Sequence, residues 1–185
     1  MIARAVPPGP GPWTVDDLMD LPEDGNRYEL IEGNLLISPP RWIPQFRTVL
    51  RLRDVLLAAR PADLEVGEHV TVVVGSPRTC FVPDLWVAPA SALDRCGAYV
   101  ESGELVLAVE VLPPGETDLD SVAKRHFYAL GGVARYWIVD PQERTLTVCA
   151  LAAGRTYSEE IVVPAGTTWR ADLPFPVDLD PAVFC

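Results

Sequence analysis

Leu105-Val106-Leu107-Ala108-Val109-Glu110-Val111-Leu112 is an apolar run interrupted by one acid, and Phe81-Val82-Pro83-Asp84-Leu85-Trp86-Val87 repeats the arrangement around Asp84. Short runs with so little polarity read as strands buried on both faces, which requires a sheet covered by other elements. A carboxylate in such a strand is strongly disfavoured unless something neutralises it. A cation, a shared proton or a buried partner would do so. Two readings follow: both acids ligate a metal ion, or each caps a strand end and pairs with an arginine.

Working outward, Asp118 to Leu130 reads as a helix carrying Lys124 and stopped by Gly131-Gly132. Arg135 to Val139 is a further buried strand, and Thr145 to Leu151 with Tyr157 to Val163 forms an antiparallel meander. Upstream, Leu64 to Val74 reads as one strand. Trp42 to Ala59 has apolar residues at helical spacing with arginines between them, closed by Pro61. Arg27 to Ile31 and Leu35 to Ser38 read as a hairpin whose turn chemistry comes from Gly33-Asn34. Thr14 is a candidate N-cap for a short helix from Trp13 to Met19, with Asp16 and Asp17 in its first turn. The order of elements predicts an α/β fold with a mixed central sheet flanked by helices. Residues 1–12, rich in Pro and Gly, are expected to form a flexible arm ahead of one domain over 13–185.

With 185 residues, 49% of them hydrophobic and 22% charged, the chain can bury one substantial core. No apolar stretch approaches the roughly 20 residues that cross a bilayer, and residues 1–8 lack the apolar segment of a signal peptide, so a cytoplasmic location is expected. Cys80, Cys96, Cys149 and Cys185 are widely spaced with no Cys-x-x-Cys pair, which argues for reduced packing thiols, with Cys185 exposed to oxidation. The net charge of −11 argues against holding nucleic acid by bulk electrostatics. Locally the balance reverses: Arg41, Arg47, Arg51, Arg53 and Arg60 face one acid, Asp54, and Arg47 and Arg51 share a helix face. That face is either solvated or turned towards phosphate. His69, mid-strand, and His126, off the Lys124 face, are read as structural, and the five tryptophans as core or interface anchors.

Asp84 and Glu110 suit Mg²⁺, a hard cation commonly held by one or two carboxylates together with waters and phosphate oxygens. Such an ion polarises phosphorus and lowers the pKa of bound water. A nearby lysine would orient the attacking water or offset charge on pentacoordinate phosphorus.

Tyr28-Glu29-Leu30-Ile31-Glu32-Gly33, Ser38-Pro39-Pro40, Pro83-Asp84-Leu85, Glu110-Val111-Leu112, Lys124-Arg125, Tyr128 and Tyr136-Trp137-Ile138-Val139-Asp140-Pro141 occur in an order that resembles the Uma-type putative restriction endonuclease family, from about Trp13 to Phe184. The resemblance implies a PD-(D/E)XK nuclease-like fold, with Asp84 and Glu110 as Mg²⁺ ligands and Mn²⁺ as a substitute. The lysine that the parent pattern places at Leu112 would be Lys124, moved to the following helix. Glu29 would match an upstream glutamate that binds a second ion or orients a water. Gln45 stands where many members have histidine; it can hydrogen-bond a phosphate or a water but does not titrate. Pro113-Pro114-Gly115-Glu116 replaces the Ser-Pro-Ser that often follows Glu-Val-Leu.

The function expected is Mg²⁺-dependent hydrolysis of DNA phosphodiester bonds by a homodimer, since one site cuts one strand. A catalytically silent nuclease-fold module for binding or dimerisation is the alternative, and a hydrolase of smaller phosphate esters a third reading.

Overall fold

A computed structural model describes residues 4–6, 11–95, 97–113 and 119–185. The elements are β1 (Arg4–Val6), α1 (Val15–Leu18), β2 (Arg27–Ile31), β3 (Asn34–Ser38), α2 (Ile43–Ala59), β4 (Leu64–Gly67), β5 (Val72–Val74), β6 (Ser76–Phe81) and β7 (Leu85–Pro89). They continue with α3 (Ala90–Leu93), β8 (Val100–Glu101), β9 (Leu107–Val111), α4 (Leu119–Leu130), β10 (Arg135–Asp140), β11 (Thr145–Ala152), β12 (Thr156–Pro164), β13 (Trp169–Ala171), β14 (Val177–Leu179) and α5 (Pro181–Phe184).

The strands form two six-stranded mixed sheets and one small ribbon, rather than a single central sheet. The first sheet runs β1-β3-β2-β6-β5-β8 and the second β12-β11-β10-β9-β7-β4, with β13 and β14 paired apart. In the second sheet β7 and β9 are antiparallel, with Leu85 opposite Val109, while β9 and β10 are parallel. The chain passes from one sheet to the other through Val82-Pro83-Asp84, between β6 and β7. Asp84 therefore lies at the sheet junction.

Strand periodicity sorts the second sheet's side chains onto two faces. Leu85, Val87, Leu107, Val109, Val111, Trp137 and Val139 pack with Val49, Leu52 and Leu56 of α2. These three α2 residues have no exposed surface, and burial of each stabilises the fold by roughly 1.5–3 kcal/mol. The alternate positions Trp86, Ala88, Ala108 and Tyr136 pack with Phe81 of the first sheet and Tyr128 of α4. Glu110, two residues after Ala108, shares this second face, and so does Asp84, two residues before Trp86. Both acids are thus directed into the layer between the second sheet, the first sheet and α4.

Several local expectations change. The predicted strand from Leu64 to Val74 is broken by a bend at Glu68-His69, where His69 has φ 55°, so β4 and β5 join different sheets and His69 is not mid-strand. The β2–β3 turn is Glu32-Gly33, both with positive φ (50° and 82°), which is the two-residue geometry matching strand twist; Asn34 already belongs to β3. Within the expected N-terminal arm, Arg4–Val6 pairs with β3. The strands β6, β8, β13 and β14 and the helices α3 and α5 had no counterpart in the sequence reading.

Gly67 in β4 lies opposite Trp86, and a methyl group at this position would run into the Trp86 indole. Gly67→Ala is expected to destabilise the fold by about 1–3 kcal/mol through overpacking, measurable as a lowered urea midpoint; an unchanged midpoint would contradict this packing.

Candidate active site

Four segments of the chain bring the acids and the lysine singled out in the sequence into the layer between the sheets. Glu29 comes from β2, Asp84 from the β6–β7 crossing, Glu110 from β9 and Lys124 from α4. Their relative exposures are 1%, 0%, 5% and 1%, so all four are interior groups. The β7–β9 register, continued one step beyond Leu85 and Val109, sets Asp84 opposite Glu110.

Lys124 binds two of the acids. Its Nζ lies 2.9 Å from Glu29 Oε1 and 3.2 Å from Glu110 Oε2, and 5.8 Å from the centre of the Phe81 ring. The lysine is therefore buried among acids and not a snorkelling surface residue. The Val82 backbone N–H also donates to Glu29 Oε1 at 2.9 Å, and the Tyr128 hydroxyl donates to Glu110 Oε1 at 3.4 Å. Glu29 is thus an interior anchor for the lysine rather than a solvent-facing hairpin acid.

Asp84 is held on both oxygens. The Val111 backbone N–H donates to Oδ2 at 2.6 Å, and Arg41 Nε donates to Oδ1 at 2.6 Å. Arg27, two residues before Glu29 on β2, places Nη1 3.5 Å from Asp84 Oδ1 and 3.9 Å from Glu110 Oε2, with Nε 3.5 Å from Glu29 Oε2. Asp84 accordingly meets arginine, as the strand-capping reading requires. What that reading does not require is the convergence of Glu110, Glu29 and Lys124 on the same point.

Arg27 and Arg41 were not selected from the sequence as site residues. The i, i+2 spacing of Arg27 and Glu29 on one strand was an available signal, since alternate residues share a face. Arg41 belonged to the arginine-rich segment but precedes α2 instead of lying on it. Arg47 and Arg51 are exposed on the helix. Gln45 is buried and donates from Nε2 to the Val111 carbonyl at 2.8 Å, so this amide fixes the end of β9 beside Glu110. Arg41 Nη1 lies 2.6 Å from His69 Nε2. Because a guanidinium can only donate, Nε2 is the acceptor and the imidazole proton resides on Nδ1. Burial and the Arg41 charge hold His69 below its usual pKa. Leu112, the position of the lysine in the parent pattern, is half-buried, and Pro114, Gly115 and Glu116 fall outside the described residues.

Two glutamates share one lysine yet titrate in opposite directions. Burial pushes Glu110 up to about 8; the Lys124 charge opposes the rise, and the Asp84 charge reinforces it. Burial pushes Glu29 up as well, but Arg27, Lys124 and the Val82 N–H outweigh it and bring the carboxyl below its ordinary value. The better-donated acid keeps its charge more easily.

No cluster of three or more His, Cys, Asp or Glu side chains among the described residues could hold a metal ion. Asp84 and Glu110 nonetheless fit Mg²⁺ by donor chemistry: two opposed hard oxygen donors leave the remaining positions to water and phosphate. A cleft of about 460 Å³ has Arg27, Arg41, Gln45, His69, Trp42 and Phe46 in its lining; the three acids and Lys124 do not line it, and Arg27 and Arg41 stand between them and the cleft.

Mixed sheets joined through an acid-bearing crossing, with a second acid on the neighbouring strand and a lysine on the helix behind, define a restriction endonuclease-like α/β fold. The chain belongs to the family described as Uma2, "Putative restriction endonuclease", which matches residues 15–183. A crystal structure from Anabaena variabilis, described as "a putative nuclease", is similar at 20% sequence identity and a TM-score of 0.71, covering 94% of this chain and 97% of that one. At that identity the likeness establishes the fold. No curated protein matches the chain.

The folded chain retains a proton on Glu110 that the unfolded chain releases between the ordinary carboxyl range and about pH 8, so this residue's contribution to stability falls as pH rises through that window. In EDTA, Glu110→Gln is expected to unfold at higher urea than the native chain above pH 8, the difference shrinking as the pH is lowered. Lys124→Met, which takes the ammonium from the buried Glu29 carboxylate, is expected to lose about 3–5 kcal/mol in the same titration. Equal or lower stability of the Gln variant above pH 8 would contradict the electrostatic balance described.

Proposed function

We propose that this chain is a Mg²⁺-dependent endonuclease that hydrolyses DNA phosphodiester bonds, with Mn²⁺ as an alternative ion. The observation that carries this reading is the convergence of Asp84, Glu110 and Lys124, from three separate segments, in one buried cluster whose arginines line an open cleft. Interior packing alone gives no reason to bring this many charges together, because buried ions carry a large desolvation penalty.

Asp84 and Glu110 would hold the ion, which when bound supplies Lewis acidity and an acidified water. Lys124 places an ammonium next to Glu110, where it offsets negative charge developing on the phosphoryl group. Glu29, whose Oε1 also accepts from the Val82 N–H, holds that ammonium in position. Gln45 fixes the β9 end through the Val111 carbonyl, and the Val111 N–H fixes the orientation of Asp84. Arg27 and Arg41 give the cleft a positive floor that can take a phosphate, which the net charge of −11 does not supply elsewhere. Cutting both strands would need a second copy related by two-fold symmetry.

The catalytically silent binding module remains a second reading, favoured by the 2.6 Å Arg41–Asp84 contact, which neutralises Asp84 without a metal. Nicking of supercoiled plasmid separates the two. With Mg²⁺ or Mn²⁺ the native chain is expected to nick, and Asp84→Ala, Glu110→Gln and Lys124→Ala to lose about 10²–10³-fold in rate. Nicking at the native rate in all three variants would overturn the assignment of the site, and no nicking by the native chain would favour the silent module.

A further inference from the structure

The lip of the cleft carries a feature that acid and lysine chemistry does not use. Trp42 and Phe46 both line it, and they are 50% and 44% exposed. Trp42 is the N-cap residue of α2, and its carbonyl accepts from the Phe46 N–H at 2.9 Å, so the two residues sit on one turn at the start of the helix. Arg41, the residue immediately before Trp42, has its guanidinium on Asp84. A cationic group at the acids and an aromatic face at the cleft mouth are thus joined by a single peptide bond.

We propose that this cleft is a subsite for an unpaired nucleotide, so that the substrate is single-stranded DNA, including the locally melted stretches of a supercoiled plasmid, with Arg27 and Arg41 on the phosphate and the Trp42 and Phe46 rings against the base. This specifies the substrate of the nuclease reading above and rests on it. An intact duplex hides its base faces in the stack and offers exposed aromatic rings no partner. An unpaired strand offers both a phosphate and a base face, the combination by which aromatic platforms with local positive charge bind single strands. A cleft of about 460 Å³ is a nucleotide-sized recess and not a groove along a duplex. The overall charge of −11 excludes a long electrostatic footprint, and stacking supplies affinity that needs no positive surface.

Fluorescence anisotropy with a labelled oligothymidylate strand of about 12 nucleotides, and with the same strand annealed to its complement, tests the proposal in EDTA. The native chain is expected to bind the single strand at least about tenfold more tightly than the duplex. One neutralised phosphate gives a slope of log affinity against log salt of about −0.7. Trp42→Ala and Phe46→Ala are each expected to weaken binding at least about fivefold, while Trp42→Phe retains most of it. Equal or tighter binding of the duplex, or no effect of Trp42→Ala, would overturn the subsite; so would loss of self-association on Trp42→Ala with DNA binding intact, which would make the aromatic lip a contact between copies. Duplex cleavage sensitive to Glu110→Gln without single-strand selectivity would overturn this proposal and leave the nuclease reading standing. Single-strand binding lost in Trp42→Ala, with no cleavage in Mg²⁺, would do the reverse to the two.

Discussion

Three carboxylates and three basic side chains share the interior where the two sheets meet, and neutralising the acids is the constraint to which the surrounding structure answers. Asp84 must be there because the chain crosses between sheets at that point, and Glu110 because the β7–β9 register sets it opposite. Two such acids repel one another and lose hydration together. The lysine from α4, the arginine from β2 and the arginine ahead of α2 each supply positive charge from a different element. The cluster therefore links both sheets and both long helices, and the removal of one member would leave the others uncompensated.

Such a cluster is a poor way to stabilise a fold. An apolar core of the same volume would serve as well or better, since desolvation offsets much of the attraction between buried ions. Glu110 carries the clearest sign of this, with its neutral form favoured by burial and by the neighbouring acids. A site under functional constraint commonly sacrifices stability in this manner. Tyr128 and Gln45, which touch the acids or the strand carrying them, add hydrogen bonds that limit the loss.

Much of this arrangement was legible in the sequence, and the reasons are specific. Glu110 and Asp84 stood out because an acid within an apolar run is rare enough to require a partner. Lys124 emerged only through the ordered motifs, because a lysine on an amphipathic helix is ordinarily exposed and periodicity cannot distinguish a buried one. The division into two sheets was hard to read: Gly67 interrupts the β-prone run from Leu64 to Val74, which is compatible with a bulge within one strand, but the chain bends just after it, at Glu68-His69. The three-residue strands β13 and β14 fall below the length at which alternation carries a signal. Arg27 and Arg41 were obscured for a different reason. Asp84 lies 43 positions from Arg41, and that pairing follows from the fold alone, while for Arg27 the alternation with Glu29 was the one local sign.

The central proposal is that Asp84 and Glu110 form a binding site for a divalent cation, and calorimetric titration of the chain with Mn²⁺ tests it most directly. The account predicts one ion bound per chain, with binding lost or strongly weakened in Asp84→Asn and in Glu110→Gln, both of which remain folded by circular dichroism. Absence of Mn²⁺ binding to the native chain, or binding unchanged in both variants, would contradict it.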